Sequence, residues 1–101
     1  MPLPAAGAPP RAAKPMAGYL DCDLHGLRPE GPLVQTRLAE CARRAQRQHL
    51  GLRIIHGRGE HVLASIAQAW LTNYGLPFQE GYLNPGETRV EAVSLQRAKL
   101  P

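Results

Sequence analysis

The chain has 101 residues, including ten glycines and ten prolines, and twelve Lys and Arg against eight Asp and Glu give a formal net charge of +4. That length is enough for one domain with a modest core and no more. Cys22 and Cys41 are too few for a metal framework, and no apolar run reads as a membrane span.

In chain order, residues 1–18 contain five prolines and six alanines, with Arg11 and Lys14 as the only charges. No apolar periodicity runs through them, and the prolines interrupt the apolar stretch a secretory signal needs. They are expected to form a disordered Pro/Ala-rich leader, with the domain over 19–101. The next stretch, LDCDLHG at Leu20–Gly26, alternates with period two. Leu20, Cys22 and Leu24 fall on one face and Asp21, Asp23 and His25 on the other, the pattern of a half-buried strand. Asp23 and His25 thus arrive at the strand's C-terminal tip, where α/β proteins build sites, and Gly26 lets the chain turn away.

Leu27–Glu30 reads as a helix entry with Pro29 in the first turn, while Gly31 and Pro32 push the start a residue or two later. Val34, Leu38, Cys41 and Ala45 recur at helical spacing, and Arg37, Arg44 and Arg47 lie off that stripe. Gly51 is expected to close the helix as its left-handed cap. Cys22 and Cys41 are expected to be buried free thiols close together, in a reducing cytoplasm.

Leu52–Ile55 reads as a second strand leading into His56-Gly57-Arg58-Gly59. A second helix is expected over Glu60–Asn73, with Val62, Leu63, Ile66, Ala67, Trp70 and Leu71 as its apolar stripe and Trp70 in the core. Tyr74-Gly75 ends it. An extended piece at Leu76–Gln79, a loop through Gly81, Pro85 and Gly86, and a last strand at Arg89–Leu95 complete the chain.

This order predicts a two-layer α/β fold, βαβαββ, with a mixed four-stranded sheet, both helices on one face and the other face open to solvent. The strand–helix–strand unit is parallel. Its strands therefore end at one edge, which brings Asp23 and His25 beside His56–Gly59.

The second motif suits an anion. Gly57 and Gly59 permit close backbone approach, the loop opens onto a helix N-terminus, and Arg58 can contact phosphate. Seven arginines lie between Arg28 and Arg58 against Glu30 and Glu40, which favours a polyanionic partner. Arg28, Arg37, Arg44 and Arg47 are the candidate phosphate contacts. His25 and His56 near a phosphate could act as general base and general acid. Asp23 could orient His25 or hold a divalent cation, Mg or Mn; one carboxylate makes a poor cation cage, so acid–base work is the leading reading. His49 and His61 read as exposed helix-end residues.

LDCDLHGLRPE, RIIHGRGEHVL and the Trp-Leu pair closing the second helix resemble the Smr (small MutS-related) domain family, in particular its stand-alone bacterial members. The resemblance spans about residues 20–95. It implies a fold similar to the C-terminal domain of translation initiation factor 3, nucleic-acid binding, and endonuclease activity that nicks DNA or cleaves RNA, in some members messenger RNA at collided ribosomes. It maps the family's functional Asp and His onto Asp23 and His25, and its second motif onto His56, Gly57, Arg58 and Gly59. The family's glycine-rich turn before the last strand is replaced here by Asn84-Pro85-Gly86-Glu87-Thr88-Arg89. An endonuclease is therefore expected; the alternative is a non-catalytic nucleic-acid- or ribosome-binding module.

Overall fold

A computed structural model describes residues 17–57, 61–81 and 86–101. All but the last two residues of the expected leader lie outside these, as do Arg58 and Gly59. The chain forms β1 (Tyr19–Asp23), α1 (Leu33–Arg47), β2 (Gly51–Ile55), α2 (His61–Asn73), β3 (Gln79–Glu80), β4 (Glu87–Val90) and α3 (Ala92–Arg97). The sheet is mixed and four-stranded, in the order β1-β2-β4-β3. β1 and β2 run parallel, and β4 is antiparallel to both β2 and β3. This is the expected α/β architecture. No described helix is long and apolar enough to cross a membrane.

The period-two pattern holds as far as Leu24: Cys22 and Leu24 are fully buried, Leu20 is half-buried, and Asp21 is exposed. Leu52, Ile54, Thr88 and Val90 continue the inner face across β2 and β4. Val34, Leu38, Cys41, Ala42 and Ala45 of α1 and Leu63, Ala67, Trp70 and Leu71 of α2 close the core from the other layer. Each fully buried leucine contributes about 2 kcal/mol. Trp70 packs on Tyr74 with ring centroids 4.7 Å apart, a core contact as the helical spacing predicts. Val62 departs from its expected place on the stripe and is 57% exposed. Cys22 and Cys41 are buried and free, and the Cys22 thiol donates to the Arg37 carbonyl at 3.9 Å; the neighbouring Cys41 thiol and burial push the Cys22 thiol up.

α1 starts at Leu33, later than the proline-based entry predicts, because Gly31 takes a positive φ of 85° and Pro32 is the N-cap. At its other end the cap is not Gly51. His49 carries the positive φ, 59°, and its N–H donates to the Gln46 carbonyl while the Leu50 N–H reaches the Ala45 carbonyl. That pair of bonds satisfies the last carbonyls of the helix. Gly51 instead opens β2, where the Tyr19 ring lies against it. A Cβ there would sit 2.7 Å from Tyr19 Cδ2 and Cε2 and 2.7 Å from the Val90 carbonyl oxygen. The Tyr19 hydroxyl runs on to donate to Glu91 Oε2 at 2.6 Å.

The last strand stops at Val90 instead of reaching Leu95. Glu91 is extended, with φ −75° and ψ 150°, and serves as the N-cap of α3, a third helix. α3 buries Leu95 against the core and is held by Gln46, whose Nε2 donates to the Leu95 and Ala98 carbonyls at 2.6 and 3.0 Å. Val93 is 58% exposed, which a helix of this length explains and an inward-facing strand position does not.

On the face turned away from the helices, Asp21, Arg53 and Arg89 stand in register across three strands. Solvent does not reach all of this face as expected. Arg53 and Glu87 are 6% and 3% exposed and paired at 2.9 Å, Asp21 lies 3.5 Å from Arg53, and Arg89 lies 3.6 Å from Glu87. Burying a guanidinium is costly unless partners such as these compensate it.

Candidate functional site

Parallel pairing of β1 with β2 sets Asp23 opposite Ile55, the last residues of the two strands. One further ladder bond, from the Leu24 N–H to the Ile55 carbonyl at 2.7 Å, carries the pairing past the strand ends. Asp23–Gly26 and His56–Gly57 therefore lie at one edge of the sheet, although they are distant in sequence.

His25 is not on the strand with Asp23, as the alternation alone suggests. β1 ends at Asp23, and the Leu27 N–H bonds back to the Leu24 carbonyl at 3.0 Å, closing a turn in which Gly26 has φ 86°. A positive φ at that position calls for glycine. His25 occupies the exposed corner of the turn. Asp23 orients it through the main chain: Asp23 Oδ1 accepts the His25 backbone N–H at 2.9 Å. Aspartate is favoured there because its short carboxylate reaches the N–H two residues on.

His56 comes to the same edge with its ring turned inward. It is 4% exposed, and its Nε2 lies 2.9 Å from Oγ1 of Thr88, which is fully buried on the inner face. Nδ1 lies 3.4 Å from the Gly57 carbonyl oxygen. Gln68 of α2 donates to Thr88 Oγ1 at 3.3 Å. Burial pushes the His56 imidazole below its ordinary value, opposed by the Gly57 carbonyl and by the Glu80 and Glu87 carboxylates. The backbone of this segment is pinned as well, since the His56 and Gly57 N–H groups both donate to the Gly86 carbonyl at 2.9 Å. Gly57 has φ 89° and leads towards the start of α2 at His61.

Of the candidate arginines, Arg37 reaches the edge. Its Nη1 donates to the Asp23 carbonyl at 3.1 Å, at the free end of the β1 ladder. Arg28 is in the loop after the turn, solvated, and 3.7 Å from Glu30. Arg44 and Arg47 are exposed in the last turn of α1. Arg44 and Arg47 rise about 10 and about 15 Å along the helix from Arg37, so these two lie away from Asp23. His49 and His61 are exposed, as their places at helix ends suggest.

Thr88 and Gln68 were not identifiable from their segments. Thr88 falls within a loop-like run and Gln68 on the polar side of a helix; only strand register brings them to His56. Among the described residues, no group of three or more His, Cys, Asp or Glu could hold a metal ion.

No curated protein matches the sequence. The family model of the Smr domain matches residues 22–90, which include the last two residues of β1 and all of α1, β2, α2, β3 and β4. Smr domains are associated with nucleic-acid binding and endonuclease activity. The chain is a member of the Smr domain family.

Proposed function

We propose that this chain is an endonuclease acting on RNA, with His25 as the group that moves the proton and Asp23 as the residue that holds it in place. The observation that carries this is the exposed His25, tied by its own backbone to Asp23 at the edge where the β2–α2 loop begins. RNA is favoured over DNA by the chemistry. With one solvent-facing imidazole in the Asp23–Gly57 pair of motifs, the simplest reaction is one whose nucleophile the substrate supplies. His25 takes the proton of the 2′-hydroxyl, the oxygen attacks the adjacent phosphorus, and the 5′-oxygen leaves and takes a proton from water. The products are a 2′,3′-cyclic phosphate and a 5′-hydroxyl. Arg37 stands beside Asp23 to meet the phosphate.

The test is a single-turnover assay on end-labelled RNA, on DNA of the same sequence, and on RNA with one 2′-deoxy substitution, each with and without chelator. Cleavage of RNA to cyclic ends, blocked at the deoxy position, is expected. His25→Ala should lower the rate by about two to four orders of magnitude while binding persists. Asp23→Asn should bind normally and cut more slowly. RNA bound with no new ends under any condition would leave the non-catalytic binding module as the function.

A further inference from the structure

We infer that Thr88 and Gln68 are positioning residues that fix the tautomer of His56, and that His56 is a strut for the Gly57 loop instead of a proton shuttle. This refines the endonuclease reading and rests on it only where cleavage is measured.

The Gln68 carboxamide nitrogen carries donors only, so Thr88 Oγ1 accepts from it at 3.3 Å. The hydroxyl has one proton of its own, and the His56 Nε2 at 2.9 Å is the partner it faces. Nε2 then accepts, and the ring proton is on Nδ1, where the Gly57 carbonyl lies at 3.4 Å. The other tautomer would make Nε2–H a second donor to Thr88 and would set the bare Nδ1 lone pair against a carbonyl oxygen. One arrangement satisfies every group and the other faces two acceptors towards each other.

Two consequences follow. Nε2 is sealed behind a fully buried hydroxyl, so it exchanges no proton with a substrate at the edge. Nδ1–H instead ties the ring to Gly57, whose N–H is already held by the Gly86 carbonyl at 2.9 Å. The first residue of the loop is therefore fixed through both its N–H and its carbonyl. Gln68 on α2, Thr88 on β4 and His56 after β2 join three elements at that point.

The experiment is long-range nitrogen–proton NMR of the His56 ring near neutral pH, combined with cleavage assays on Thr88→Val and Thr88→Ser. The wild type should show a protonated Nδ1 and a bare Nε2. Thr88→Val keeps the shape but removes the hydroxyl; its ring should shift towards a mixture of tautomers, and its cleavage should fall roughly ten- to a hundredfold through loop misplacement. Thr88→Ser should restore both the tautomer and most of the rate, which a purely packing role for Thr88 would not do. A wild-type ring protonated at Nε2, or a Thr88→Val ring unchanged from wild type, overturns the inference. So does equal activity of the Val and Ser variants. If the wild type cuts nothing, the endonuclease reading fails while the NMR spectra still decide the tautomer. If Thr88→Val does not fold, the wild-type and Thr88→Ser spectra decide it.

Discussion

Glu87→Ala tests whether the charges on the face turned from the helices hold the sheet together. The Arg53 side chain is 7% exposed, with Glu87 at 2.9 Å and Asp21, itself 33% exposed, at 3.5 Å. Deleting one partner of a buried pair destabilises by about 3–5 kcal/mol, because the remaining charge stays out of water without compensation. Asp21 remains near Arg53 and softens that penalty, so the lower bound, about 3 kcal/mol, is expected. For a domain of this size that lowers Tm by roughly 12 °C or more. Asp21→Ala removes the longer, partly solvated pair and should lose no more than about 1 kcal/mol. Arg53→Met combined with Glu87→Leu takes both charges out together and should recover most of the loss, since apolar replacement of a buried pair is often neutral or stabilising by about 1–4 kcal/mol. Thermal unfolding followed by circular dichroism, with urea titrations as a second measure, reads all three. Equal losses for Glu87→Ala and Asp21→Ala, or a double variant weaker than Glu87→Ala, would refute the argument.

Gly51→Ala should destabilise by about 2 kcal/mol, because its Cβ would press on a backbone carbonyl as well as on a ring; an unchanged urea midpoint would count against that geometry. His49→Gly should stabilise by about 1 kcal/mol by removing a side chain from left-handed backbone, and a lower midpoint would contradict it. Because burial depresses the folded-state value of His56, the unfolded chain binds a proton that the folded chain refuses as pH falls below about 6.5. Stability should therefore be full above that pH and decline below it; the decline should be smaller in His56→Asn, and identical slopes in the two proteins would dismiss the effect. RNA affinity should weaken as salt rises, and if Arg44 and Arg47 each contact a phosphate, replacing either with Ala should flatten the logarithmic slope by about 0.7.

The period-two run at β1 and the helical stripe of α1 were legible because each reports one face of one local element. The parallel crossover then placed the two motifs at a common edge without any knowledge of side-chain packing. Gly51 was misread for a physical reason: glycine serves both a left-handed cap and a close strand contact, and only the Tyr19 ring shows which. Arg53 could not be assigned from its strand, where a charge reads as a solvated position until Glu87 arrives from β4. Thr88 was hidden in the same way, since its partner His56 is set by the antiparallel register and by α2. The turn at His25 was half legible; Gly26 announced it, but alternation carried the strand two residues too far.

The Tyr19 ring over Gly51 has a consequence at the other end of the sheet. A slip of β1 along β2 by two residues would keep every apolar side chain facing the helices, so the core does little to forbid it. It would, however, move Asp23 by about 7 Å relative to Ile55, far outside any working geometry. What forbids the slip is an aromatic ring that fits only over a residue with no side chain, with its hydroxyl latched to Glu91 just beyond β4. The contact works as an index pin: it fixes where three strands stop, and hence where Asp23 and His56 meet, from about 13 Å away along β1. The alignment of the edge can thus be altered at Tyr19 or Gly51 without changing one atom of Asp23, His25 or His56.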